Sequence, residues 1–255
     1  MKAAMNWNAA LYDEKHHFVS TYGQDVLTLL EPAAGEKILD AGCGTGTLCH
    51  QLAGFGAEVK GVDLSIDMVE RAKAAYPELD FKVADLTDFD LGETFDAIFS
   101  NATLHWVLPP EKAIICLFHH LSPGGRLVLE MGGRLNVEQI IQAIFAALKQ
   151  RGHAVFSVEN FWYFPSPGSY STLLEQAGFE VQLVHYFERP TRLSGLDGMR
   201  NWIEMFGAYF FRDMDPKETE KVIGLAVEKL KPTHFKEESW WADYRRLRIK
   251  ARKPL

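Results

Sequence analysis

The stretch ILDAGCGTG, residues 38–46, sets three glycines within five positions directly behind a short apolar run. It reads as a strand that stops at Asp40, a turn through Gly42, Gly44 and Gly46, and the start of a helix. Glycine has no Cβ to hold a ligand away, and the first amides of a helix have no partner within it, so the turn offers bare N–H groups to a nucleotide-like molecule. Dinucleotide enzymes use GxGxxG to set a pyrophosphate on the helix dipole. This loop is GxGxG, with an acid two positions ahead of the first glycine. A carboxylate at Asp40 repels pyrophosphate and suits an ammonium or a sulfonium. A cofactor with an amino-acid tail, a positively charged sulfur and an adenosine fits better.

Outward from the loop, the first half alternates short apolar runs with amphipathic segments in the rhythm of βαβ units. Strands are expected at 37–40, 58–63, 81–83, 96–100 and 126–131, with helices at 47–54, 66–75 and 111–121 between them. Such strands and crossovers imply a parallel sheet buried on both faces. Phe18, Tyr22, Val26 and Leu29 recur at helical spacing ahead of the first strand. After Gly132 the pattern changes to a helix at 137–149, a loop FPSPGS, a helix ending at Gly178 with a strand behind it, and helices at 199–211 and 215–230. Asp215, Pro216 and Glu218 supply the N-cap, first-turn proline and capping-box acid of the last of these. In the closing strand, 244–251, Arg246, Arg248, Lys250 and Arg252 alternate with Leu247, Ile249 and Ala251, which reads as a solvated basic face on an edge strand in preference to the alternative, an anion-binding surface.

In an open α/β sheet, ligands collect at the carboxyl ends of the strands. Asp63 in GVDLS ends the second strand, where a carboxylate accepts from both ribose hydroxyls; Asp85 in VADL ends the third, and Asn101 and His105 in SNATLHW follow the fourth.

These residues resemble the class I S-adenosylmethionine-dependent methyltransferases: the loop DAGCGTG, the acid in GVDLS, VADL, FDAIFSNATLHW and LSPGGRLVLEM carry the likeness. The segments WNAALYD, SNATLHW, LLEQAGFEV and MRNWIEMFG narrow it to the trans-aconitate methyltransferase group, which esterifies small carboxylic acids. The resemblance implies a Rossmann-like, seven-stranded, mostly parallel sheet with an antiparallel last strand and helices on both faces. Its expected parts are an N-terminal helical segment (1–35) covering the cofactor, a core (36–193), a helical lid (194–238) and the final strand (239–255).

The resemblance also implies that Asp40, Ala41, Gly42, Cys43 and Gly44 surround the methionine portion of S-adenosylmethionine, and that Asp63 holds the ribose. Leu64 and Met68 would pack on the adenine, Ala84, Asp85 and Leu86 would line its polar edge, and Asn101 and Ala102 would flank the sulfonium. Tyr12 and Phe18 would cover the cofactor. For the acceptor, His105 is an orienting group or a base, and Trp106, Glu130, Arg134, Trp162, Tyr163 and Trp202 are candidate contacts, with Arg192 and Arg200 as weaker anchors. Glu130 is expected to orient a polar group of the acceptor or to pair with one of the arginines 134, 192 and 200. More than half of the Phe, Tyr and Trp residues lie between Phe156 and Tyr244, which suits either a lid over a small molecule or plain helical packing.

Composition bounds the alternatives. A net charge of −7 disfavours a nucleic-acid partner, because affinity for a polyphosphate rests on many Lys and Arg contacts. Three cysteines without a CxxC fit a reducing cytoplasm, and no leader or membrane span is read in the chain. No HxxxH supports a metal site, so none is expected. The expected partner is a small-molecule acceptor, and the expected assembly a monomer or small homo-oligomer. A secondary-metabolite O-, N- or C-methyltransferase shares every cofactor residue, and a lyase or cyclase that binds the cofactor without transferring methyl remains open. A nicotinamide oxidoreductase is disfavoured by the glycine spacing.

Overall fold

The computed structural model describes the backbone of residues 18–255 and the side chains of residue 23 and residues 25–255. Tyr12 and the side chain of Phe18 lie outside this range.

The described elements are α1 (Phe18–Leu30), β1 (Lys37–Ala41), α2 (Thr47–Gly54), β2 (Glu58–Asp63), α3 (Ile66–Ala75), β3 (Asp80–Val83), β4 (Phe95–Asn101), α4 (Pro110–His120), β5 (Leu121–Gly132), α5 (Glu138–Gln150), α6 (Pro167–Gln176), β6 (Glu180–Leu193), α7 (Gly198–Phe206), α8 (Pro216–His234), β7 (Phe235–Lys236) and β8 (Ser239–Arg252). The sheet order is β3-β2-β1-β4-β5-β8-β6, with β7 paired to β8. β1 to β5 run parallel through the registers Asp40↔Gly61, Asp63↔Val83, Asp40↔Phe99 and Asn101↔Glu130. β8 is antiparallel to β5. The mostly parallel sheet expected from the sequence is therefore present, with one further strand, the two-residue β7.

Two compact units divide the chain. Among the described residues, the first comprises residues 18–134, with Trp162–Tyr186 and Arg246–Leu255. Its sheet buries both faces because neighbouring strand residues point to opposite sides. Ile38, Ala97, Phe99 and Val128 face a core completed by Val26, Leu27 and Leu30 of α1 and Leu52 of α2. Leu39, Ile98, Leu127, Leu129, Leu247 and Ile249 face the other, completed by Ile114 and Leu117 of α4 and Leu174 of α6. Helix starts follow the side chains available: Ser65 accepts from Met68 N–H at 3.4 Å, and Ser166, ahead of Pro167, accepts from Ser169 N–H at 3.2 Å.

The second unit comprises Leu135–Phe161 and Phe187–Arg245. Ile140, Ile144, Ala147 and Leu148 of α5 and Val222, Ile223 and Ala226 of α8 are buried. Asp215 caps α8 through Lys217 N–H at 2.9 Å, with Pro216 in the first turn. The helix expected over 199–211 stops at Phe206, and Ala208–Phe211 continue as a 3-10 turn beyond Gly207. Among the described residues no helix is long and apolar enough to cross a membrane.

Candidate functional site

The glycine loop after β1 differs from the expected nest of bare amides. Gly42 N–H and Cys43 N–H both donate to the Val62 carbonyl, at 2.8 and 2.9 Å, and Gly46 N–H donates to the Cys43 carbonyl at 3.0 Å. Gly44 N–H donates to Asp63 Oδ2 at 3.0 Å. With these donors satisfied inside the protein, the loop offers little to a pyrophosphate, which needs convergent N–H groups.

The glycines serve different ends. A Cβ on Gly42, at φ +87°, would fall 2.1 Å from Thr103 Cγ2, so that position is closed by the chain leaving β4. A Cβ on Gly44, at φ +53°, would meet nothing within 4 Å. Only the second opens a cradle for a ligand.

Asp63 stands at the carboxyl end of β2, its Oδ2 bonded by Gly44 N–H at 3.0 Å and its Oδ1 by Ser65 N–H at 2.9 Å. A carboxylate has about four acceptor sites, so with the Gly44, Ser65 and Leu64 amides on it Asp63 keeps one for a ribose hydroxyl. Burial raises the pKa of this carboxyl, opposed by the backbone bonds of Ser65, Gly44 and Leu64. Around it lie apolar side chains left in water: Leu64 at 57%, Ile66 at 61% and Val83 at 49% exposure. An acid flanked by exposed aliphatic groups fits a nucleoside, the sugar on the acid and the base on the hydrocarbon. Met68 is buried beneath this rim, Ala84 N–H donates to the Asp63 carbonyl at 2.9 Å, and Leu86 is core. Asp85 is exposed, and its Oδ1 accepts from Thr87 N–H and Oγ1–H at 2.9 and 2.7 Å, holding the turn after β3.

Asp40 is buried under the loop beside Ala41, and the Cys49 thiol donates to its Oδ2 at 3.2 Å. Burial first, then the charge of Asp63, pushes its carboxyl up to about 7, against the thiol's opposing bond. A cation placed above the loop would favour the ionised form.

At the mouth of β4, Asn101 is buried and Ala102 takes a left-handed φ of +56°, its N–H donating to the Glu130 carbonyl at 2.7 Å. His105 follows in a 3-10 turn. Gly132 N–H donates to its Nδ1 at 3.4 Å, Tyr163 N–H donates to its carbonyl at 2.8 Å, and Trp106 and Phe164 lie against its ring at 5.5 and 5.6 Å between centroids. Trp162 meets both Trp106 and Phe164. Burial, reinforced by the positive charge of Arg246, holds the imidazole well below its usual pKa. The ring is therefore neutral near pH 7, with Nδ1 accepting and its proton on Nε2.

Glu130 meets the basic row of β8: its Oε1 accepts from Arg246 Nε at 3.2 Å and its Oε2 from Arg248 Nε and Nη2 at 3.0 and 2.7 Å. That row is neither an edge nor the purely solvated face expected, since β8 lies between β5 and β6 and Arg246 is buried. Arg134 is exposed, with its N–H on the Pro165 carbonyl at 2.8 Å. Arg192 donates to Ser239 Oγ at 2.9 Å, and Arg200 pairs with Glu220 and Glu204. Trp202 belongs to the second unit, where it is buried and donates to Tyr244 Oη at 2.6 Å. There Phe161 stacks on Tyr209 and meets Phe210 edge to face.

The glycine loop, the acid after β2 and the β4 exit all fall within residues 12–184, which match the methyltransferase domain family. The chain belongs to that family. An uncharacterized methyltransferase from Schizosaccharomyces pombe is 31% identical over 97% of this chain and 98% of its own length. A trans-aconitate 2-methyltransferase from Paracidovorax citrulli is 34% identical over 49% of this chain and 50% of its own. The fold is shared with the YcgJ protein of Bacillus subtilis at a TM-score of 0.63 and 15% identity, over 92% of this chain and 99% of that one. The methyltransferase is of class I, and its cofactor is S-adenosylmethionine. The open side of Gly44, the Asp63 carboxylate and the aliphatic rim fit that molecule.

Proposed function

We propose that this methyltransferase esterifies a carboxylate of a small acid. The observation that carries the reading is the state of His105. Its ring is buried and neutral, and its one lone pair faces Gly132 N–H, so the imidazole at the β4 exit is not placed to take a proton. A hydroxyl or phenol acceptor needs such a base, whereas a carboxylate is already an anionic nucleophile at neutral pH. The partial match to a trans-aconitate 2-methyltransferase supports the same acceptor class.

S-adenosylmethionine, when bound, supplies a methyl group activated by its sulfonium. The chain's part is placement, and holding two reactants in line contributes up to roughly 7–11 kcal/mol in well-oriented systems. Asp63 fixes the ribose, Asp40 and the Gly44 cradle set the amino-acid tail, and Asn101 with the strained Ala102 borders the sulfonium. Trp106, Trp162, Phe164 and Tyr163 surround His105 and keep water away from it, so its Nε2–H serves as a fixed donor to the acceptor. Arg134, exposed just past β5, adds a cation for an acidic acceptor.

The test is incubation with methyl-labelled S-adenosylmethionine and a panel of small acids including trans-aconitate, followed by treatment with base. Label released as methanol and dependent on one acid supports the reading. Transfer only to products whose label survives base would exclude it.

A further inference from the structure

Two buried thiols and a buried acid lie beneath the glycine loop. Asp40 stands between Gly61 of β2 and Phe99 of β4, and neither neighbour titrates. Ile38, two positions back on the same face, packs in the α1 and α2 core together with Cys43 and Cys49. Cys49, the third residue of α2, is wholly buried, and its thiol donates to Asp40 Oδ2 at 3.2 Å. Cys43 is hydrogen-bonded in turn to Cys49. At the end of β2, Asp63 adds a second carboxylate. Among the described side chains of α1, Val26, Leu27 and Leu30 complete this core, while Asp25 reaches Arg248. His50 of α2 is turned to Tyr76 and Glu78. Among the described residues, the titratable groups that face Asp40 are therefore Cys49, Cys43 and Asp63.

Burial and the charge of Asp63 favour the protonated acid at Asp40, and the Cys49 thiol opposes them. A thiol is a weak donor, so its bond leaves the carboxyl poised near neutral pH instead of ionised outright. An ammonium brought to the loop acts in the same direction as the thiol, with a full charge. The loaded protein then holds fewer protons on Asp40 than the free one. By linkage, affinity for a ligand that carries the ammonium rises with pH and levels off once Asp40 of the free protein is ionised, above about pH 7.

We propose that Cys49 is a positioning residue for the cofactor: its thiol holds the Asp40 carboxyl beneath the amino-acid tail, and the tail's ammonium displaces the Asp40 proton as the cofactor binds. The proton leaves to solvent, and the carboxylate and the ammonium remain as an ion pair above the Cys49 bond. This rests on the placement of the amino-acid tail at Asp40 given above and is independent of the acceptor.

The experiment is calorimetric titration of the full chain with S-adenosylhomocysteine and with 5′-methylthioadenosine, the same nucleoside thioether without the amino-acid tail. It is run at several pH values from about 5.5 to 7.5, where the ammonium stays charged. The ratio of the two affinities, in which any titration of Asp63 cancels, should rise at least about tenfold over that range, with protons released to the buffer by the first ligand. Asp40→Asn should flatten the rise. Cys49→Ala should displace it to higher pH and lower the ratio severalfold at about pH 6.5, and Cys49→Ser, which restores a donor, should return it to the wild-type profile or move it to lower pH. A Cys49→Ala loss equal at every pH and for both ligands, the mark of plain packing, overturns the proposal. So does a rise that persists in Asp40→Asn, or binding of neither ligand by the wild type. A flat wild-type ratio with a selective loss of S-adenosylhomocysteine in Asp40→Asn sinks the proton displacement and leaves Asp40 at the tail. Unchanged S-adenosylhomocysteine affinity in Asp40→Asn removes Asp40 from the tail and takes the proposal with it. Cys49→Ser and Asp40→Asn keep the test decisive should Cys49→Ala fail to fold.

Discussion

Gly42→Ala and Gly44→Ala are chemically the same change two residues apart, yet the structure separates their consequences. Both positions have positive φ, +87° and +53°, which costs an L-residue about 1–2 kcal/mol. At Gly42 the new methyl would also stand 2.1 Å from Thr103 Cγ2, 2.2 Å from Oγ1 and 2.5 Å from Cβ. Thr103 is β-branched and tied to the Gly42 and Asn101 carbonyls at 3.2 and 3.1 Å, so it has no easy rotation away. Overpacking of that kind adds about 1–3 kcal/mol. The G42A variant is then destabilised by roughly 2–5 kcal/mol, and G44A by about 1–2 kcal/mol.

For a chain of this size each kcal/mol lowers Tm by about 2–4 °C, so G42A falls by roughly 10 °C and G44A by a few degrees. Cofactor affinity separates them too, because the methyl of G44A projects into the open cradle and should cost at least tenfold, about 1.4 kcal/mol. Thermal denaturation and titration with S-adenosylmethionine read both quantities. Thr103→Gly in the G42A background should restore part of the lost stability, a non-additivity that reports the contact itself. Equal Tm values for G42A and G44A, strict additivity with Thr103→Gly, or unchanged affinity in G44A would each refute this account of the loop.

Asp63→Asn keeps the shape but removes the charge and leaves one of the Gly44 and Ser65 amides facing an NH2 group. S-adenosylmethionine binding should weaken by roughly 2–4 kcal/mol, read by calorimetry; unchanged affinity removes Asp63 from the ribose site. Asp40 has its carboxyl raised to about 7, above the ordinary value near 4, so the folded state favours the protonated acid. Its contribution to stability is whole below about pH 4 and is lost as pH rises through about 7. Asp40→Asn should therefore gain on the wild type between those limits, by at most about 4 kcal/mol, in denaturant titrations at several pH values. A difference independent of pH would contradict the assignment. Glu130→Gln leaves Arg246 and Arg248 without their shared carboxylate and should cost about 3–5 kcal/mol in urea unfolding; a loss under about 1 kcal/mol would mean that the charges are not buried as described.

Local pattern carried much of the fold. β2, α2 and α3 have the expected bounds because apolar spacing and turn residues act within a few positions of one another. β7 was out of reach: it is two residues long, and its turn passes through Glu237 and Glu238 at φ +51° and +55°, where a sequence signal would have been Asn-Gly. Asp63 was legible as an acceptor because a strand's carboxyl end is a position set by the chain itself.

By itself, the sequence determined that a glycine loop follows β1, that an acid ends β2 and that the strands alternate with helices, all of which depend on neighbours in the chain. Tertiary structure alone decided that the loop's amides are consumed by Val62 and Asp63, that Gly42 is closed by Thr103, and that Glu130 meets Arg246 and Arg248. The Arg246 and Glu130 partners are separated by 116 positions. Their pairing follows from the antiparallel register of β8 on β5, and no local periodicity encodes which residue of a distant strand will stand opposite another.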